Sequence, residues 1–206
     1  MSGLARSRAN HQRQVNAGAK LLLTLLAASV PPLAIVTLIR QGRASASGQT
    51  AAPSAFVLKA SAFQTGGQIP GQYTCDGQNL SPALSWTEPP PGTQSFVLIA
   101  EDPDAPGGAF VHWVAYDLPG SVRRVPEGVP KAGEIKGGGR QGLNDFPGTG
   151  YGGPCPPPGK PHRYFFRLYS IDRKLNLQAG PTRTDVEQAM KGHILGQAEL
   201  MGRYRR

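Results

Sequence analysis

Apolar residues in this chain form one long block and then short runs separated by glycine and proline. The block is LLLTLLAASVPPLAIVTLI, Leu21 to Ile39, 19 residues without a charge. That length predicts a membrane-crossing helix, which needs about 20 residues, more than a signal-peptide core of about 7–15. Pro31 and Pro32 fall inside it, where a spanning helix tolerates proline better than a soluble one. Past residue 50 the apolar runs shrink to strand length. Phe56–Lys59 and Leu84–Trp86 are short. SFVLIAE, Ser95–Glu101, is nearly continuous and reads as a buried strand. Phe110–Leu118 mixes aromatics, valine and polar residues at strand length. HRYFFRLYSI, His162–Ile171, is the strongest strand; its alternation puts His162, Tyr164 and Phe166 on one face and Arg163, Phe165 and Arg167 on the other. Thr184 and Glu187 have capping-box spacing, which predicts a helix over TDVEQAMKGH, and AELMGRYRR predicts a last strand.

These elements predict a mostly β fold, a two-sheet antiparallel β-sandwich with a few short helices, preceded by the N-terminal apolar helix. Alternating βαβ units are absent, so a doubly wound sheet is not expected. Residues 119–161 are so rich in glycine and proline that they read as mostly loop, and a loop of this length is usually functional or disordered. The expected organisation is a basic N-terminus with an anchor or signal segment over 1–46, a linker over 47–54, and a folded domain over 55–206.

Charge alters this picture in one respect. The formal net charge is +9, yet residues 1–46 hold six of the 22 basic residues and no acid. The rest of the chain has 16 bases against 13 acids and no basic run, an ordinary solvated surface that excludes nucleic acid as an expected partner. Four bases precede Leu21–Ile39, and Arg40 and Arg43 follow it, so the positive-inside rule places the folded domain outside the cytoplasm. Ala44-Ser45-Ala46 offers a cleavage site as the alternative to a retained anchor. Either way the domain is exported, membrane-anchored or periplasmic. An oxidising compartment then favours a Cys75–Cys155 disulfide over two separate buried thiols.

Candidate chemistry gathers at two places. DPDAP, residues 102–106, holds Asp102 and Asp104 between prolines where a buried strand ends, and His112 follows on the next strand. An acid beside an imidazole is a common way to orient it, so Asp102 is expected to hold His112 or a ligand amine. His162 and Tyr164 share a strand face just after the glycine- and proline-rich GYGGPCPPPGK. KGGGRQG lacks the GK[ST] of a phosphate-binding loop, G-x-S-x-G is missing, and neither HxH nor HExxH occurs. No metal and no cofactor are therefore expected.

DPDAP, the following His-Trp, GxGGPCPP and PHRY together resemble the phosphatidylethanolamine-binding protein family, in its bacterial Raf-kinase-inhibitor-like (YbhB/YbcL-type) branch. The resemblance spans roughly residues 55–206, including CDGQNLSPALSW. It implies a two-sheet β fold with a small pocket for phosphate-like anions or phospholipid head groups. Carried over residue by residue, that pocket uses Asp102, Asp104, Pro106, His112, Pro157, His162 and Tyr164. A non-catalytic binding protein is the expected function. Surface inhibition of a protease or kinase is the alternative, and a hydrolase ranks below both.

Overall fold

The structure, a computed structural model, describes residues 55–206. Leu21–Ile39 and the Ala44-Ser45-Ala46 site lie outside the described residues. Among the described residues, no helix is long and apolar enough to cross a membrane.

Eight strands, one α-helix and a short 3-10 turn (Gly71–Tyr73) build the domain. Strands β1 (Leu58–Ala60), β2 (Leu84–Trp86) and β5 (Arg124–Val125) form a three-stranded antiparallel sheet with β2 central. The larger sheet runs in the order β6 (Arg140–Gln141), β4 (Phe110–Pro119), β3 (Ser95–Asp102), β7 (His162–Ile171), β8 (Ile194–Tyr204), antiparallel throughout. The predicted two-sheet architecture is present.

Every residue of β3 is buried, because this strand is central and covered on both faces. Its alternation divides the core. Phe96, Leu98 and Ala100 point into the space between the sheets, with Trp86, Trp113, Tyr151, Phe166 and Leu168. Val97 and Ile99 point the other way and pack with Val186 and Met190 of helix α1 (Arg183–Met190). A continuous apolar run suits such a doubly covered strand.

Three expectations need correction. The helix starts two residues early: Thr182, not Thr184, is the N-cap, and Asp185, not Glu187, closes the capping box. Both spacings occur in the sequence. Glu187 instead pairs with Arg183 one turn earlier, and Pro181 leads into the extended N-cap. The helix also ends at Met190, short of His193, and β8 begins at Ile194 rather than Ala198. Within residues 119–161 only β5 and β6 are regular, two residues each, so the segment is largely loop as expected.

Cys75 and Cys155 are joined, with their Cα atoms 5.4 Å apart across 80 residues of sequence.

Candidate functional site

The site lies where the open ends of β3, β4 and β7 meet. Asp102 closes β3 and, by the same alternation that buries Phe96, Leu98 and Ala100, faces the inter-sheet side. Pro103 has no N–H, and the next donor, Asp104 N–H, donates to Asp102 Oδ1 at 2.8 Å. The second carboxylate oxygen, Oδ2, lies 2.8 Å from His162 Nδ1. Asp102 is only 3% exposed, so both of its oxygens are held in place.

His112 reaches the site through a break in strand register. Ala100 pairs with Trp113 and Glu101 with Val111, so His112 has no partner of its own on β3. This is a β-bulge, which re-aims a side chain at the cost of one ladder position. Its ring Nδ1 donates to the Gly152 carbonyl at 2.6 Å, and Gly152 N–H donates back to the His112 carbonyl at 2.8 Å. Nδ1 thus carries the proton of the neutral ring and Nε2 remains for a ligand. Burial pushes the His112 pKa below the usual histidine value, opposed chiefly by the Gly152 carbonyl and then by Asp102. The rings of Phe110, Phe146 and Tyr164 surround it at 5.2–5.4 Å between centroids.

Asp102, Ala105, Pro106, Phe110, His112, Phe146, Cys155, Pro156, Pro157 and His162 line one cavity of about 200 Å³. Of the expected residues, Asp102, Pro106, His112, Pro157 and His162 meet there. Tyr164 lies behind His112, 2% exposed; its hydroxyl lies close to Asp102 without a hydrogen bond of full geometry, and burial followed by the Asp102 charge pushes its pKa up. Asp104 does not line the cavity. Its carboxylate accepts from the backbone N–H, Nε and Nη2 of Arg163, which holds its pKa at about 2 and braces the turn against β7.

The expected Asp102–His112 pairing is also corrected. Asp102 binds His162 instead, and a backbone carbonyl orients His112. The two strand ends do adjoin, with Asp102 opposite Phe110, but the bulge turns the imidazole toward Gly152.

Sequence reading missed Ala105, Phe110, Phe146, Gly152, Cys155 and Pro156. Phe146 stands in a glycine-rich loop, DFPGTGYGGP, where no periodicity marks it as a site residue. A Cβ on Gly152 would collide with the Phe146 ring, and one on Gly153 with the Tyr73 carbonyl, so the paired glycines let this strap pass between them.

This site sits within a chain whose residues 59–205 match the family model described as phosphatidylethanolamine-binding protein. A UPF0098 protein of Methanothermobacter thermautotrophicus is 50% identical over 149 residues, 72% of this chain and 98% of the relative. One from Aquifex aeolicus is 51% identical over 146 residues, 70% of this chain and 85% of the relative. Among solved structures, the putative phosphatidylethanolamine-binding protein homologue CT736 of Chlamydia trachomatis is 40% identical with a TM-score of 0.68, covering 74% of this chain and 98% of that one. E. coli YbcL, described as a new member of the mammalian PEBP family, is 32% identical with a TM-score of 0.67, covering 73% and 98%. The DPDAP, His-Trp, GGPC and PHRY segments that build the cavity all fall inside the matched region, and the chain belongs to the phosphatidylethanolamine-binding protein family.

Proposed function

We propose that this protein is a non-catalytic binder of a small phosphate-like anion or a phosphorylated head group, held between His112 and His162. One observation carries this reading. Both imidazoles line the same cavity with Nδ1 already committed, to Gly152 O and to Asp102, which leaves Nε2 on each ring for a ligand. A protonated Nε2 donates to a phosphate oxygen; a neutral one accepts from a P–OH or an ammonium group. The buried Tyr164 hydroxyl lies close to Asp102 and is a further donor near the site. At about 200 Å³ the cavity is smaller than the ~300–1,000 Å³ of drug-sized ligand pockets, which favours a head group over a whole lipid.

We further infer that the domain works outside the cytoplasm. The cross-link between two exposed cysteines suits an oxidising compartment, in line with an N-terminal anchor or signal. The test is calorimetric titration of the full chain with inorganic phosphate and phosphoethanolamine. Saturable binding to the wild type that His162→Ala weakens at least tenfold is expected. No binding to folded wild type, or binding indifferent to His162→Ala, would sink the reading.

A further inference from the structure

The disulfide is attached to the cavity at two points. Cys155 lines it directly, followed by Pro156 and Pro157. Three residues earlier, Gly152 fixes both the backbone and the ring of His112. The strap that carries both, Tyr151–Pro157, is tied to segment Tyr73–Asn79 by four links. Three are hydrogen bonds: Tyr151 O–H to the Tyr73 carbonyl at 2.8 Å, Gly153 N–H to Asn79 Oδ1 at 2.6 Å, and Cys75 N–H to the Pro154 carbonyl at 3.1 Å. The fourth is Cys75–Cys155 itself.

These links differ in access. The Tyr151 tie is wholly buried in the core. Both cysteines are exposed, so a thiolate in solution can reach the sulfurs. Cutting the cross-link therefore leaves the root of the strap anchored at Tyr151, while its distal half, the cavity wall, loses its covalent tie to the Tyr73–Asn79 segment.

We propose that the Cys75–Cys155 disulfide is a redox control on the pocket, closed when oxidised and loosened by a dithiol reductant. This rests on the binding reading above. The chemistry is ordinary thiol–disulfide exchange. A thiolate of the dithiol attacks one sulfur, forms a mixed disulfide and releases the other cysteine as a thiolate, which takes a proton. The second thiol of the dithiol resolves the mixed disulfide. Cys75 and Cys155 together gain two electrons and two protons, and the dithiol becomes a disulfide. Loss of the cross-link loosens Cys155, Pro156 and Pro157, the wall of the cavity that His112 also lines.

The test compares the oxidised full chain with the same chain reduced by dithiothreitol. Three readouts are taken: phosphate affinity by calorimetry, the His112 imidazole nitrogens by NMR (assigned with His112→Gln), and β-sheet content by circular dichroism. Reduction is expected to weaken phosphate binding at least tenfold, to move the His112 signals and to leave the β-sheet signal intact. The Cys75→Ser, Cys155→Ser double variant should reproduce the reduced state; should it fail to fold, the reduced wild type decides alone. Unmoved His112 signals, equal phosphate affinity in the two states, or loss of the β-sheet signal on reduction would each overturn the proposal. If the oxidised chain binds no phosphate, the binding reading fails, and the His112 signals alone still decide whether the disulfide controls the site.

Discussion

Glu101 and Asp102 are neighbouring acids on one buried strand, and the pleat sends them to opposite faces of the sheet. Glu101 turns toward helix α1 and meets two arginines, Arg167 through Oε1 and Arg183 through Oε2, the latter at 2.6 Å. Each arginine has a second acid, Glu199 at 2.9 Å and Glu187 at 2.7 Å. Every charge in that cluster has an opposite charge beside it, although Glu101 Oε2 meets Arg183 as an ion pair without hydrogen-bond geometry. Asp102 meets one imidazole and one turn N–H, then faces a cavity. A buried carboxylate closed into an ion network fastens a helix to a sheet. A buried carboxylate that holds a histidine beside an open space prepares that space for a ligand.

That contrast predicts opposite consequences for equivalent substitutions. Glu101→Ala strands Arg167 and Arg183, and should lower stability by about 2 kcal/mol in urea unfolding, below the ~3–5 of a fully buried pair because both arginines keep contact with water. Phosphate affinity of the folded variant should stay near wild type. Asp102→Ala should do the reverse. Its stability loss should be smaller, and phosphate binding should weaken about tenfold, ~1.4 kcal/mol, because His162 loses the group that fixes its ring.

Proton linkage sharpens the comparison further. Burial keeps His112 neutral and lowers its pKa in the folded state, so the unfolded chain takes up a proton that the native chain refuses. The stability tied to neutral His112 is present above the unfolded value of about 6.5 and is lost as pH falls through the folded value. Wild type should therefore lose more stability than His112→Gln between pH 7.5 and pH 5.5, as read from urea midpoints. The smallest effect is expected at Asp104. Arg163 holds this carboxyl at about 2, so its contribution is present above the usual value of about 3.8 and is lost as pH falls toward 2. Arg163→Ala should abolish that part of the acid-unfolding profile and leave stability at pH 7 little changed, since the pair is exposed.

Much of this was legible in the sequence because it follows from local alternation. The faces of β7 put His162 with Tyr164 and Phe166, and burial along the strand obeys that pattern. The continuous run of β3 marked a strand covered on both sides. Two lone cysteines in a domain expected to be exported pointed to the cross-link. What failed to show were interruptions of periodicity and long-range loop placement. The bulge at His112 appears only once β3 and β4 are in register, and it redirected the imidazole from Asp102 to Gly152. Phe146 and Gly152 come from a segment with almost no regular structure, where no period assigns a side chain to a face. Asp104 looked equivalent to Asp102 because two residues usually share a strand side, but the strand ends at Asp102 and the turn sends Asp104 to Arg163. The two overlapping T-x-x-acid spacings made the helix start ambiguous, and Arg183 claimed Glu187.

The division between the two acids is tested most directly by phosphate titration of wild type, Asp102→Ala and Glu101→Ala in one calorimetry series, each variant first shown to be folded. Binding that weakens about tenfold in Asp102→Ala and stays within about twofold of wild type in Glu101→Ala is the predicted result. Equal affinity in Asp102→Ala and wild type, or a greater loss in Glu101→Ala, would contradict it.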